Sequence, residues 1–361
     1  MHDVAENAVP QGASLEKRDA NDQTRGQAHL SESFSQALGK HRTLHRAIAS
    51  VGELVEYIKQ DTGWNVDLSK LDFQVVSREQ ITKIMSDEIG VRLGYTPAEW
   101  SQLGVKLGAQ DGLWGKFHNW LAVRAVGATL GGLFLPSTGG VVFVEDNLAW
   151  FNEQGLRKIL YHELVHAGQM QRYPEFFGGV SSSMRRGLEL KLLGGAKGDD
   201  YLNAMDTVNA RMAWIEGQPT YLQELRAAER YPGAKITASL GTRALGILSL
   251  AMGGTTQKIG QYIRGRKVFA QLYESEIERG FIDTVFKKPE LADLMLKTRG
   301  EITFKFKGDG TKEENLKVLK AMISHFSAKN TQGGVNLQVH VVNVEGDERQ
   351  IHDAGGNTEV T

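Results

Sequence analysis

The run Ile159-Leu160-Tyr161-His162-Glu163-Leu164-Val165-His166-Ala167 constrains this chain more than any other stretch, because its chemistry requires a helix. On a helix, residues four apart lie about 40° apart around the axis and about 6 Å along it. His162 and His166 then present two imidazoles toward one point, with Glu163 carried beside them. The flanks agree. No proline interrupts 156–171, and Leu156, Leu160, Leu164 and Ala167 recur at three- and four-residue steps as a packed stripe. Ile159, His162, His166 and Met170 form the adjacent stripe, so the imidazoles sit on a partly apolar face. A strand is predicted for 140–144, closed by the polar Glu145-Asp146-Asn147.

A catalytic zinc site takes three protein ligands and keeps one position open. The third has two usual sources. A histidine completing H-E-x-x-H-x-x-G-x-x-H is ruled out, since positions 169 and 172 are Gln169 and Arg172 and the next histidine is His325. The other source is a carboxylate on a second helix. Glu216, in Trp214-Ile215-Glu216-Gly217, ends a helix-like run over 201–215 and has apolar neighbours. A buried, unpaired carboxylate is costly, and a nearby cation removes the cost. Pairing with Arg211 would remove it too.

Four blocks in a fixed order resemble a family of largely uncharacterised predicted bacterial and archaeal zinc metallopeptidases of the gluzincin type. They are Gly132-Leu133-Phe134-Leu135-Pro136-Ser137-Thr138-Gly139-Gly140-Val141-Val142-Phe143-Val144, then 162–171, then Ile215-Glu216-Gly217, then 262–273 ahead of Pro289. The likeness spans about residues 130 to 300. It implies a zincin-like α+β domain, mainly helical with a small sheet, in which His162, His166 and Glu216 hold Zn2+ and Glu163 is the general base for peptide-bond hydrolysis. An oxyanion donor is also needed; Tyr262 and Tyr221 are the candidates, with His118 a third. Three departures stand out. Met170 replaces an acidic residue between Gln169 and Gln171, Gln218-Pro219 replaces Asp-Ala, and the family's closing histidine stretch is not evident over 290–300. Proline cannot donate to the carbonyl four residues back, so Pro219 either kinks a continuing helix or begins a new one.

The stretch 139–144 is a candidate edge strand that aligns an extended peptide or protein substrate by strand addition. The whole chain has 361 residues, a formal net charge of -1, 41% hydrophobic and 24% charged residues, which fits a soluble globular protein and gives no reason to expect nucleic-acid binding. The absence of cysteine excludes disulfides and thiolate ligands. The apolar run 236–254 carries Arg243 centrally and reads as a buried or cleft-covering helix, so no stable membrane insertion is expected. Residues 1–40 read as a disordered arm and 41–298 as the catalytic domain. A strand, a helix over 312–326 and a second strand form a small α/β appendage over 299–345, and 346–361 form a polar tail. The start lacks a secretory signal, which points to the cytoplasm or to export without a cleaved leader. Two other readings stay open: a catalytically silent binding protein on the same scaffold, and an exported metallopeptidase effector or toxin. The sequence leaves oligomeric state open.

Overall fold

Short apolar strands and long amphipathic helices in this sequence give an α+β protein dominated by helices. The computed structural model describes residues 29–30, 32–110, 131–193, 198–235, 254–274, 279–297, 299–306, 336–343, 348–354 and 357–360. The elements run β1 (His29–Leu30), α1 (Glu32–Lys40), α2 (Arg42–Ala49), α3 (Val51–Thr62), β2 (Asp72–Val76), α4 (Arg78–Arg92), α5 (Pro97–Gln110), β3 (Gly132–Leu135), β4 (Gly140–Val144) and α6 (Glu145–Leu148). They continue with α7 (Glu153–Arg172), α8 (Pro174–Leu192), α9 (Asp199–Leu225), α10 (Ala227–Arg230), α11 (Gly254–Glu274), α12 (Arg279–Lys287) and α13 (Pro289–Leu296). The chain closes with β5 (Arg299–Phe306), β6 (Asn336–Asn343), β7 (Glu348–Ala354) and β8 (Asn357–Val360).

The first sheet has the order β1-β2-β4-β3. β2 pairs in parallel with β4, from Asp72 opposite Gly140 to Val76 opposite Val144, and β3 returns antiparallel to β4. The expected edge strand is therefore internal. β4 is buried at all five positions and paired on both sides, which its unbroken apolar run reflects. Val141 and Phe143 enter the main core, while Val142 and Val144 pack with Val76, Ile81 and Leu135 on the other face. β3 is the edge. The turn between β3 and β4 requires Gly139, whose φ is +70° and where a Cβ would lie 2.4 Å from the Lys70 carbonyl oxygen.

The amino-terminal expectation needs correction. α1 lies inside the stretch read as a disordered arm, because Phe34 is fully buried, its ring 5.8 Å from that of Phe73 and 6.3 Å from that of Phe143. One aromatic anchors a segment whose average composition is polar. The predicted helix over 41–59 is two helices, broken at Ser50.

α7 starts at Asn152, whose side chain accepts from the Gly155 N–H at 2.9 Å. Leu156, Leu160, Leu164 and Ala167 are fully buried, as their spacing predicts. From the rear of the helix, the Tyr161 hydroxyl donates to Asp61, which also takes two bonds from Arg230. α9 packs against α7, α8, α11 and α13. Its crossing with α11 is backbone against backbone. A Cβ on Gly265 would lie 1.8 Å from the Ala213 oxygen, and one on Gly217 would lie 2.4 Å from the Gly265 carbonyl carbon.

The carboxy-terminal strands form a second sheet in the order β5-β6-β7-β8, with β5 parallel to β6 and the other pairs antiparallel. The supposed polar tail thus contributes β7 and β8. A parallel pair needs a crossover, and the predicted helix over 312–326 between β5 and β6 lies outside the described residues, as does the run 236–253. Among the described residues, no helix is long and apolar enough to cross a membrane.

Gly265→Ala should force α9 and α11 apart. An added methyl with no room costs about 1–3 kcal/mol, and contact with rigid backbone puts this variant at the upper end. Urea denaturation measures the loss; unchanged stability contradicts the crossing.

Candidate metal centre

Three helices converge on one cavity. α7 brings His162, Glu163 and His166, α9 brings Glu216, and α11 brings Tyr262, all of which line it. The α9–α11 crossing sets the last placement, since Tyr262 stands one turn before Gly265 and so meets α9 beside Glu216.

The ligand-type atoms are close. His166 Nε2 lies 3.2 Å from His162 Nε2 and 3.2 Å from Glu216 Oε2, and His162 Nε2 lies 3.5 Å from the same oxygen. Two ring nitrogens facing each other can share only one proton, and a carboxylate beside them adds negative charge. A cation fits that donor set, and His162, His166 and Glu216 could hold a metal ion. The rival partner for Glu216 is engaged elsewhere: Arg211 makes a bidentate pair with Asp293 at 3.0 and 2.7 Å.

Each imidazole is held from behind. His162 Nδ1 faces Gln223 Oε1 at 3.3 Å, and the Gln223 amide donates to the Lys158 carbonyl at 3.0 Å. His166 Nδ1 faces Gln169 Oε1 at 3.0 Å. The Gln169 amide nitrogen donates to the Ile215 carbonyl at 3.1 Å and to Gln218 Oε1 at 2.9 Å. Here Pro219 acquires a structural meaning. α9 runs through it as one helix, so the alternative of a new helix at 219 is not what forms. Pro219 has no N–H for the Ile215 oxygen four residues back, and Gln169 donates in its place. With both amide hydrogens directed at acceptors, the Gln169 oxygen must face His166. Nδ1 then carries the proton and Nε2 presents a lone pair to the cluster. Sequence reasoning missed Gln223, although it lies seven residues from Glu216 and so on the same helical face.

Glu163 is buried, and its Oε2 accepts from the Phe134 N–H at 2.8 Å. That bond lies on the outer edge of β3, away from β4. Gly132 permits the approach. A Cβ there would lie 2.8 Å from Ile159 Cγ2 and 3.5 Å from Glu163 Cγ.

Burial alone would lower the His166 pKa, but the charge and hydrogen bond of Glu216, aided by Glu163, outweigh it and raise the pKa. For Tyr262, burial and the charges of Glu216 and Glu163 push the hydroxyl well above its ordinary value, so it stays a donor, and it bonds Glu216. The Tyr262 ring lies 6.2 Å from that of His162. Tyr221 is placed differently: it stacks on Tyr273 at 4.9 Å and is not among the cavity-lining residues. His118 lies outside the described residues.

Replacing Gln169 with leucine removes partners from both His166 Nδ1 and the Ile215 carbonyl. The metal affinity should fall by about 10- to 100-fold, read by chelator competition. Pro219→Ala restores a donor to that carbonyl and should cost less. Equal affinities for wild type and Gln169→Leu would remove Gln169 from the site's support.

No protein-family model matches the chain, and no curated protein sequence matches it. Among solved structures, the chain is similar to one from Chloroflexus aurantiacus described as "a putative hydrolase with a novel fold", at 17% identity and a TM-score of 0.45, covering 73% of this chain and 87% of the other.

Proposed function

We propose that this chain is a zinc-dependent peptidase with a zincin-like catalytic domain, in which His162, His166 and Glu216 hold the metal and Glu163 is the general base. One observation carries the reading: the mutual spacing of three side-chain atoms. A tetrahedron with zinc–ligand arms of about 2.0–2.1 Å has edges of about 3.3–3.4 Å. The separations here are 3.2, 3.2 and 3.5 Å. Two imidazoles and one carboxylate also suit zinc better than magnesium or calcium, which favour all-oxygen shells.

Zinc, when bound, supplies a Lewis acid that polarises a carbonyl and makes water more acidic. The remaining work falls to side chains and backbone. Glu163 takes a proton from the attacking water and passes it to the departing amine. The Phe134 N–H holds one oxygen of that carboxylate, which fixes its orientation. Tyr262, kept protonated by its buried anionic surroundings, releases Glu216 and turns its one O–H to the oxyanion as it develops. Among the described residues no strand pairs with the outer edge of β3, and its backbone groups other than the Phe134 N–H are suited to receive an extended peptide as a further strand over α7. Stacked on Tyr273, Tyr221 takes no part in this scheme.

Purified protein should bind one zinc, and Glu216→Ala should weaken it markedly. Glu163→Gln should keep the metal and lose hydrolysis of a peptide library. Retained hydrolysis in Glu163→Gln, or unchanged zinc binding in Glu216→Ala, would contradict the proposal. Tyr262→Phe should keep the metal and lower kcat by about 10²- to 10³-fold with little change in KM; an unaltered kcat assigns the oxyanion to another donor.

A further inference from the structure

The cavity that contains His162, His166 and Glu216 has a volume of about 180 Å³ and one long wall made by α4. Met85, Glu88, Ile89 and Arg92 line that wall at helical steps. Glu88 and Arg92, one turn apart, are its charged members, and their situations differ. Both Glu88 oxygens are engaged by Ser137, one accepting the backbone N–H at 3.0 Å and the other the hydroxyl. Glu88 thereby fixes the β3–β4 turn. The Arg92 guanidinium makes no hydrogen bond or ion pair with any described residue. It is half-buried, and Glu88's charge opposes the downward effect of burial on its pKa. Arginine stays charged regardless.

Its position is informative. Arg92, Pro136 and Phe177 line both this cavity and an adjoining one of about 440 Å³. Arg92 therefore stands where the two meet. The other arginine of the outer cavity, Arg185, is committed to Glu189 at 2.9 Å and to the Leu93 carbonyl at 3.3 Å. Around Arg92 the inner cavity is largely apolar, with Leu133, Leu135, Phe177 and Met212 on its walls.

Taking the peptidase reading as its basis, the geometry points to Arg92 as the residue that receives a substrate carboxylate while the scissile amide lies at the three-ligand cluster. A guanidinium with no partner among the described residues offers one planar fork of donors, which matches a carboxylate in two parallel bonds. Apolar walls strengthen such a pair by excluding water. The carboxylate is either a chain's carboxy-terminus or an internal acidic side chain, and the two are separable by experiment.

The test uses the full chain loaded with zinc, as wild type and Arg92→Gln. Calorimetry is run with the monohydroxamates of four- and six-carbon dicarboxylic acids, their methyl esters, and acetohydroxamate. The hydroxamate end reports the metal and the free acid reports Arg92. In wild type, at least one acid should bind about tenfold or more tightly than its ester. In Arg92→Gln that preference should vanish, with zinc content and acetohydroxamate affinity unchanged. An acid and ester that bind wild type equally, or a preference that survives in Arg92→Gln, overturns the role of Arg92 and leaves the metal site standing. Absence of zinc, or of any hydroxamate binding, overturns the peptidase reading and this inference together. Where hydrolysis is measurable, peptides with free or amidated ends and with internal Glu or Gln identify the source. The relevant change should raise KM about tenfold in wild type and not in Arg92→Gln; if neither does, the inference is overturned.

Discussion

The cluster of two imidazoles and a carboxylate beneath β3 is electrostatically unfinished, and much of the surrounding structure follows from that. Nitrogen and oxygen atoms about one hydrogen bond apart, each holding a lone pair toward the same point, repel unless a positive charge lies among them. A proton relieves the conflict in part, and the Glu216 and Glu163 charges favour one on His166 against the effect of burial. A metal ion relieves it in full, and three ligands of this kind leave a position for solvent.

Holding such donors together requires supports that resist relaxation. Proline in a helix usually signals a kink. Here Pro219 releases the Ile215 carbonyl, and Gln169 satisfies that carbonyl while orienting His166. The helix carrying Glu216 is thus joined to the helix carrying the histidines by a bond that also sets an imidazole's tautomer. The glycines at 217 and 265 act at longer range. Their backbone contact fixes the α9–α11 distance, and that distance brings Tyr262 to Glu216. On the opposite side, Gly132 lets β3 approach α7 closely enough for the Phe134 N–H to reach Glu163.

Local spacing made much of this readable in the sequence. The histidine pair lies on one helix, so period alone predicts its convergence, and Glu216 stands out as an acid among apolar neighbours. What escaped depends on through-space partners. The sheet order, and with it the exchange of edge from β4 to β3, is set by a parallel pairing between residues 72–76 and 140–144 that no local pattern encodes. The sequence favours Tyr262 over Tyr221 only slightly. Only the close helix crossing separates them, drawing one into the cavity and leaving the other against Tyr273. Phe34 shows the weakness of averaging, since a single buried ring orders a helix in a polar stretch.

The most direct measurement is X-ray absorption at the zinc edge on the metal-loaded chain. The account predicts a first shell of nitrogen and oxygen at about 2.0–2.1 Å, with outer scattering from two imidazole rings. A six-oxygen shell, or one lacking the histidine signature, would contradict it.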